Sequence, residues 1–479
     1  MIRQLLTIVL VALFATPAIA QTTRPYDRAF SVTPAAADAV GAAGPFTLAF
    51  SLRDREPGDA ATMYLTAFSL FRDPPAVAEA GPGGDSDADA RGQTLESALN
   101  ASLADLDLAE TQAVVDRYRD ALDLIEKAAR RGQARFEFPI NEQGMATLLP
   151  HLSDARTAAN VLAVRTMLHA STDDIDAALA DLRLIFTLAR HVGGHDGAVL
   201  VENMVGVGVT AIGYDRLAKL QGADDVPNLY WALAALPEPI DFRRTVENER
   251  VLIYGTFPQL RDPDAVDADS FNIMMRAVDR YADGGEAPTA AERLRGIAER
   301  TAGMAFMLPS ARGYLLREGH FTEAELDDLG PYRTIAHYMD LSYGDAFGEL
   351  VKAASLPPRE SIAAFGQIPE ELAGDGGWGR LFVNLLSPSL ASARQSFATV
   401  ERQRVALVAV EALRDHAAKT GELPQSLAEL AMFVPPDPYT GQPLGYQRDG
   451  DTAVLAAVDV GLAGRPTGFT WTITLRRDE

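Results

Sequence analysis

The sequence predicts a mainly α-helical fold, an irregular bundle of helical hairpins that ends in a small α+β head. Three observations carry this. From Leu95 to Gln221 apolar residues return every three or four positions, the period of one helix face. The same period runs through Ala406, Val410, Leu413 and Ala417 near the C-terminus. Alternation, the period of a strand, is confined to a short patch at Phe46–Leu52 and to the final segment between Leu444 and Leu475.

The chain opens on Arg3, an apolar run from Leu5 to Phe14 broken only by Thr7, and the small-x-small triplet Ala18-Ile19-Ala20. This is the layout of an export signal cleaved between Ala20 and Gln21. The run is about half of the roughly 20 residues a membrane span requires, so a retained anchor fits less well. No Cys follows the cleavage site, which excludes a lipid anchor there. The expectation is an exported protein, periplasmic or secreted, whose mature chain has no transmembrane segment.

Residues 21–93 read as an N-terminal segment, partly extended. Phe46, Leu48, Phe50 and Leu52 share one face of a strand. Asp59 to Phe71 reads as a short helix with Met63, Ala67 and Leu70 in its apolar stripe. Residues 81–92 form a flexible acidic loop rich in Gly and Asp. Its Asp spacing resembles the first half of a calcium loop, but the later glycine and bidentate Glu are missing at the required spacing.

Residues 94–390 form the helical body. Val115, Tyr118, Leu122, Ile125 and Ala129 fall on one helix face. Ser153 to His169 and a second helix from Thr172-Asp173 to Gly193 make a hairpin, near 153–192, that resembles a tetratricopeptide unit. No second copy follows at a period near 34 residues, so a repeat array is not expected. In Asp196 to Leu220 the small residues Gly206, Gly208, Ala211 and Gly213 let neighbouring helices approach closely. The stretch is not a phosphate loop, because no Lys-Ser/Thr follows and no strand precedes it. Shorter helices follow at Asn228–Leu236 and Asp241–Tyr254. An acidic linker spans Asp262–Asp269, and Asp283-Gly284-Gly285 marks a break. Helical pieces then run to Ala354, and a further helix opens at Pro357-Pro358 and closes at Gly374-Asp375-Gly376-Gly377.

Residues 391–479 hold a long helix, Ala391 to Lys419, and the head. Thr420-Gly421 ends the helix, with Lys419 in its last turn against the carbonyl dipoles. A short second helix starts at Pro424, and Pro435-Pro436-Asp437-Pro438 forces an extended path. Asp449-Gly450 joins two strands as a tight hairpin. A third strand presents Phe469, Trp471, Ile473 and Leu475 on one face, completing a three-stranded antiparallel sheet.

Composition removes several functions. The formal charge is -23, and losing the single positive charge of Arg3 with the signal makes it -24. No basic stripe interrupts this balance, so nucleic acid is not an expected partner, since phosphate affinity depends on Lys and Arg. The chain has no Cys, which removes disulfides, thiol catalysis and thiolate metal sites.

Chemistry-bearing patterns are few. His191 and His195 are four apart, a metal-binding interval on a helix, but Gly193-Gly194 lies between them and helix-end His residues also cap carbonyls. His337 and Asp340 are three apart on a helix and can act as a base and its orienter, or as a plain hydrogen-bonded pair. Glu247 is a third catalytic candidate; it cannot share a helix face with Glu249, two residues on. No Gly-x-Ser-x-Gly elbow and no dinucleotide Gly-x-Gly-x-x-Gly occurs. Trp378, among Gly376, Gly377 and Gly379, reads as a sugar-stacking platform or as a core residue.

The motif Gly421-x-Leu423-Pro424-x-Ser426-Leu427-x-x-Leu430, followed by Asp437-Pro438-x-x-Gly441-x-Pro443-Leu444-x-Tyr446 and a hairpin, resembles the globular head of type II secretion pseudopilins. The resemblance covers roughly 70 residues. It is closer to a group of uncharacterised exported bacterial helical proteins that carry such a head after a large helical region, with a segment like Asp176–Gly193 and an Arg402-Gln403-Arg404 approach. The membrane helix of pseudopilins has no counterpart, so filament assembly is not implied. Heads of this kind can bind calcium through acidic loops, which makes Asp449, Asp451 and Asp459 the metal candidates; no other cofactor is expected. The leading functional expectation is a non-catalytic interaction or scaffold protein with a protein partner in the cell envelope. The alternatives are an exported hydrolase with an acid/base pair assembled from distant residues, and a small-ligand-binding helical protein.

Overall fold

The computed structural model describes residues 26–37, 48–72, 95–223, 225–237, 240–282, 307–371, 378–460 and 466–476, without the side chains of 278–282, 369–371 and 378–385. The signal segment with Ala20 and Gln21, the acidic loop 81–92 and the breaks at 283–288 and 374–377 lie outside the described residues. The fold is mainly helical with a small C-terminal sheet, as the periodicity predicts. Two units divide the chain, both discontinuous in sequence, and residues of the helical body 94–390 contribute to each.

The larger unit holds 21–137, 149–241 and 395–479. Its N-terminal helices are α1 (Ala61–Arg72), α2 (Leu108–Arg117) and α3 (Arg119–Ala129). Its centre is three consecutive helices, α4 (His151–Ser171), α5 (Ile175–Gly193) and α6 (Leu200–Leu220). Residues on most sides of α4 are fully buried, among them Ala158, Val161, Leu162 and Val164. The hairpin turn begins with Asp173 at φ 59, a left-handed conformation that Asp tolerates. The cap is therefore Asp174, whose side chain accepts from the Ala177 N–H at 3.0 Å, one position later than Thr172-Asp173.

Small residues set the spacing of α5 and α6. A Cβ on Gly206 would lie 2.8 Å from the Ala189 carbonyl and 2.9 Å from the Gly193 Cα. A Cβ on Gly213 would meet the Phe186 ring at 2.7 Å. The close approach read from Gly206 and Gly213 is therefore real, whereas Gly208 faces open space.

In chain order the strands are β1 (Arg28–Val32), β2 (Glu56–Asp59), β3 (Arg131–Gln133), β4 (Gly445–Asp449), β5 (Thr452–Ala457) and β6 (Phe469–Leu475). β2 and β3 pair parallel by themselves, and the sheet of the head has four strands in the order β1-β6-β5-β4. β4 (Gly445–Asp449), β5 (Thr452–Ala457) and β6 (Phe469–Leu475) form the expected antiparallel set. The addition is β1 (Arg28–Val32), which pairs parallel to β6 from Arg28↔Trp471 to Val32↔Leu475. Phe469, Trp471, Ile473 and Leu475 are buried on one face, as their alternation predicts. The hairpin turn is Gly450-Asp451, with Gly450 at φ 60.

Four local expectations are corrected. Leu48 to Leu52 is a bend, not a strand, because the backbone and hydroxyl of Ser51 both donate to the Asp54 carboxylate and turn the chain; Phe46 lies outside the described residues. In α1 the buried stripe is Tyr64, Ala67, Phe68 and Phe71 rather than Met63 and Leu70, since the aromatic side chains bury more area. The helix expected across Val115–Ala129 breaks at Tyr118, φ -104. After Pro424 only a single 3-10 turn forms, Leu427–Glu429.

The smaller unit holds 138–148 and 242–394. The helix expected over 241–254 is two helices, Phe242–Asn248 and Arg250–Thr256, followed by 3-10 turns at Pro258–Arg261 and Pro263–Ala265. The helix Glu323–Ala354 starts with a reciprocal Thr322/Glu325 cap and is kinked at Gly330, φ 74, before Pro331. Ile335, Met339, Phe347 and Leu350 from this helix join Ile253, Leu260 and Phe365 among the fully buried side chains. The long helix Trp378–Thr420 ends at Gly421, φ 79, and its residues from Gln395 on belong to the larger unit.

Candidate functional site

The three catalytic candidates are each held in a different pair. His337 Nε2 meets Asp264 Oδ1 at 2.8 Å, with Asp264 largely exposed. Asp340 instead accepts from the Tyr254 hydroxyl at 2.7 Å, and burial with this bond raises the phenol pKa. Glu247 meets Arg243 at 3.0 Å one helix turn away, both half-exposed. The structure does not bring His337, Asp340 and Glu247 to one point.

The metal candidates are also apart. Asp449 precedes the β4–β5 turn and Asp451 lies in it, while Asp459 follows the far end of β5, whose six residues span roughly 20 Å. Asp459 Oδ1 accepts from the Thr467 backbone and hydroxyl, both at 3.1 Å, closing the connection to β6. Among the described residues no group of three His, Asp or Glu is arranged to hold a metal ion.

His191 and His195 point to different partners. His191 Nδ1 shares a 2.9 Å hydrogen bond with the Tyr64 hydroxyl, and both are buried. His195 Nε2 and His151 Nε2 each lie 3.5 Å from Glu202 Oε1. Glu202 is the N3 residue of α6 and its other oxygen accepts from the Val199 N–H at 2.9 Å. Burial works to raise the Glu202 pKa, but the two imidazoles and the Val199 N–H outweigh it and hold the carboxyl low. The Phe136 ring stacks on His151 at 4.6 Å. The cluster joins the starts of α4 and α6 to the end of α5, and its chemistry is that of a packed polar core.

A concave site lies elsewhere in the same unit. Leu48, Phe186, Thr187, Arg190, Tyr214 and Leu236 line a slot that opens to solvent. α5 supplies the adjacent Phe186 and Thr187 and, one turn on, Arg190, and α6 supplies Tyr214, whose ring lies 5.2 Å from that of Phe186. Burial raises the Tyr214 pKa, so its phenol stays neutral. Arg190 is the cation of the slot. Burial comes first in lowering its pKa, and repulsion from Arg55 adds to it. Sequence reading passed over Arg190, since an Arg in the last turn of a helix reads as a dipole partner. The Trp378 side chain lies outside the described side chains.

No family model, no curated protein and no solved structure matches the chain. No helix among the described residues is long and apolar enough to cross a membrane.

Proposed function

We propose that the protein is an exported, non-catalytic interaction protein of the cell envelope, whose pseudopilin-like head docks a partner protein. One observation carries this reading. From Leu427 to Pro436 the head presents Leu-Ala-Glu-Leu-Ala-Met-Phe-Val-Pro-Pro, in which no residue is buried and Phe433 is 72% exposed. An apolar run with a single charge, its apolar residues exposed at Ala428, Ala431, Phe433 and Pro436 and half-covered between them, is the composition of a contact surface. Its backbone is pinned, because the Tyr230 hydroxyl donates to the Phe433 carbonyl at 2.6 Å. A fixed, exposed aromatic presents contact area at little cost in ordering. Export is supported by the signal-like first 20 residues. The separate pairing of His337, Asp340 and Glu247 favours this reading over the hydrolase.

The test is a photo-crosslinking residue placed at Phe433 in cells that export the chain, with the exposed Glu422 as the control position. The expected result is one adduct of fixed mass from position 433, lost when Met432 and Val434 are changed to Ser. Identical products from positions 433 and 422, or none from either, sink the proposal.

A further inference from the structure

We propose that the slot beside Arg190 binds a small organic anion, a carboxylate carrying a short apolar tail. Among the described residues, no side chain or backbone oxygen accepts a hydrogen bond or forms an ion pair with Arg190. Its electrostatic neighbours are the cation Arg55 and the Tyr64 hydroxyl, and Arg55 Nε is itself buried without an acceptor. Two guanidinium groups left without a carboxylate stand out in a chain with 66 acidic and 43 basic residues. Two fully buried arginines of the same unit, by contrast, each meet a carboxylate, Arg402 at Asp437 and Arg414 at Glu411. Burying a cation near a like charge is costly, and an incoming anion relieves both terms.

The rest of the slot defines what the anion carries. Leu48, Phe186, Tyr214 and Leu236 make the wall apolar, and Thr187 adds one hydroxyl near the cation. The slot is open to solvent, so a short tail lies along this wall rather than inside an enclosed cavity. The planar guanidinium fork matches a carboxylate in two-point geometry. A multiply charged phosphate fits less well, because Arg190 is the single cation in the lining and the chain as a whole carries -23. The inference is independent of the head and its partner.

Titration calorimetry on the signal-free chain decides it, using hexanoate, hexanol and inorganic phosphate. Hexanoate is expected to bind saturably at one site. Hexanol, with the same tail and no charge, and the Arg190→Gln variant with hexanoate should each be at least roughly tenfold weaker. Arg190→Lys should fall between, keeping the charge and losing the fork. Absence of hexanoate binding, equal affinity for hexanol, or tighter binding of phosphate overturns the proposal. If Arg190→Gln fails to fold by circular dichroism, the hexanoate–hexanol comparison on the unaltered chain still decides.

Discussion

Arg402 on the long helix and Asp437 in the proline-rich turn form a two-point ion pair, Nε to Oδ1 at 2.8 Å and Nη2 to Oδ2 at 2.6 Å, with both side chains almost fully buried. Nη1 donates to the carbonyls of Thr467 at 2.7 Å and Val458 at 3.2 Å, and the guanidinium lies over the Tyr439 ring, 4.3 Å from its centroid. One side chain thus joins the helix, the turn and the β5–β6 connection. Removing one partner leaves the other charge buried, which costs about 3–5 kcal/mol. Arg402→Met and Asp437→Asn should each lower stability by that order in urea denaturation. Changing both together should cost less than the two single losses combined, because no charge is then stranded. A loss below about 1 kcal/mol for Arg402→Met contradicts the pairing.

Gly206 and Gly208, two residues apart on one helix, should respond with opposite sign to Ala. At Gly206 the added methyl meets backbone atoms at 2.8 and 2.9 Å, which α5 cannot yield without shifting away. Overpacking of this kind costs about 1–3 kcal/mol. At Gly208 nothing lies within 4 Å, so Ala should stabilise the helix by about 0.5–1 kcal/mol through its lower unfolded-state entropy. Thermal melts of the two variants check this, and equal shifts contradict the assigned contact face.

The sheet separates what was legible in the sequence from what was not. β5 and β6 follow from alternation, and the turn between β4 and β5 from Asp449-Gly450, because these signals are local. β1 carries only five residues, and its pairing with β6 joins residues more than 400 positions apart. No local pattern encodes such a partner. The same holds for the sites: the Asp437-Pro438 motif was visible, but its role depends on Arg402, 35 residues earlier. Arg190 was passed over for the converse reason, since its significance lies in having no carboxylate beside it. That property belongs to the packed structure. By contrast, the α4–α5 hairpin and the tight α5–α6 contact were read correctly, because period and small-residue spacing are properties of one helix.

Val32 tests the unforeseen strand. It is fully buried, and its carbonyl accepts from the Arg476 N–H at 2.8 Å. Val32→Ala removes two buried methyl-sized groups and should cost roughly 1–2.5 kcal/mol. Ser31→Ala, on the half-buried neighbour, should stay within about 0.5 kcal/mol. The comparison is made by urea denaturation at neutral pH. Equal small effects at both positions mean that β1 does not complete the sheet.

His191 predicts a pH dependence with a defined sign. Burial, then the charges of Arg190 and Arg55, hold its imidazole well below the usual 6.5, at about 3, while Asp59 opposes them weakly. Between these values the unfolded chain takes up a proton that the folded chain refuses. Stability therefore rises with pH across this window, is fully present above about 6.5, and is lost as pH falls toward about 3. The slope for one proton is at most about 1.4 kcal/mol per pH unit. Carboxylates held low in the fold, Glu202 and Asp215, act below their ordinary values of 4.5 and 3.8, and Asp154, raised by burial, is common to both proteins, so the difference between them from about pH 5 to 6.5 isolates the histidine. Urea denaturation of the unaltered chain and of His191→Gln should show stability falling with acidification in that range, by about 1 kcal/mol per unit less in the variant. Every other group is common to both proteins and cancels in the difference. Parallel pH profiles exclude a buried neutral His191, and with it the positive pair Arg55–Arg190 that helps hold it neutral.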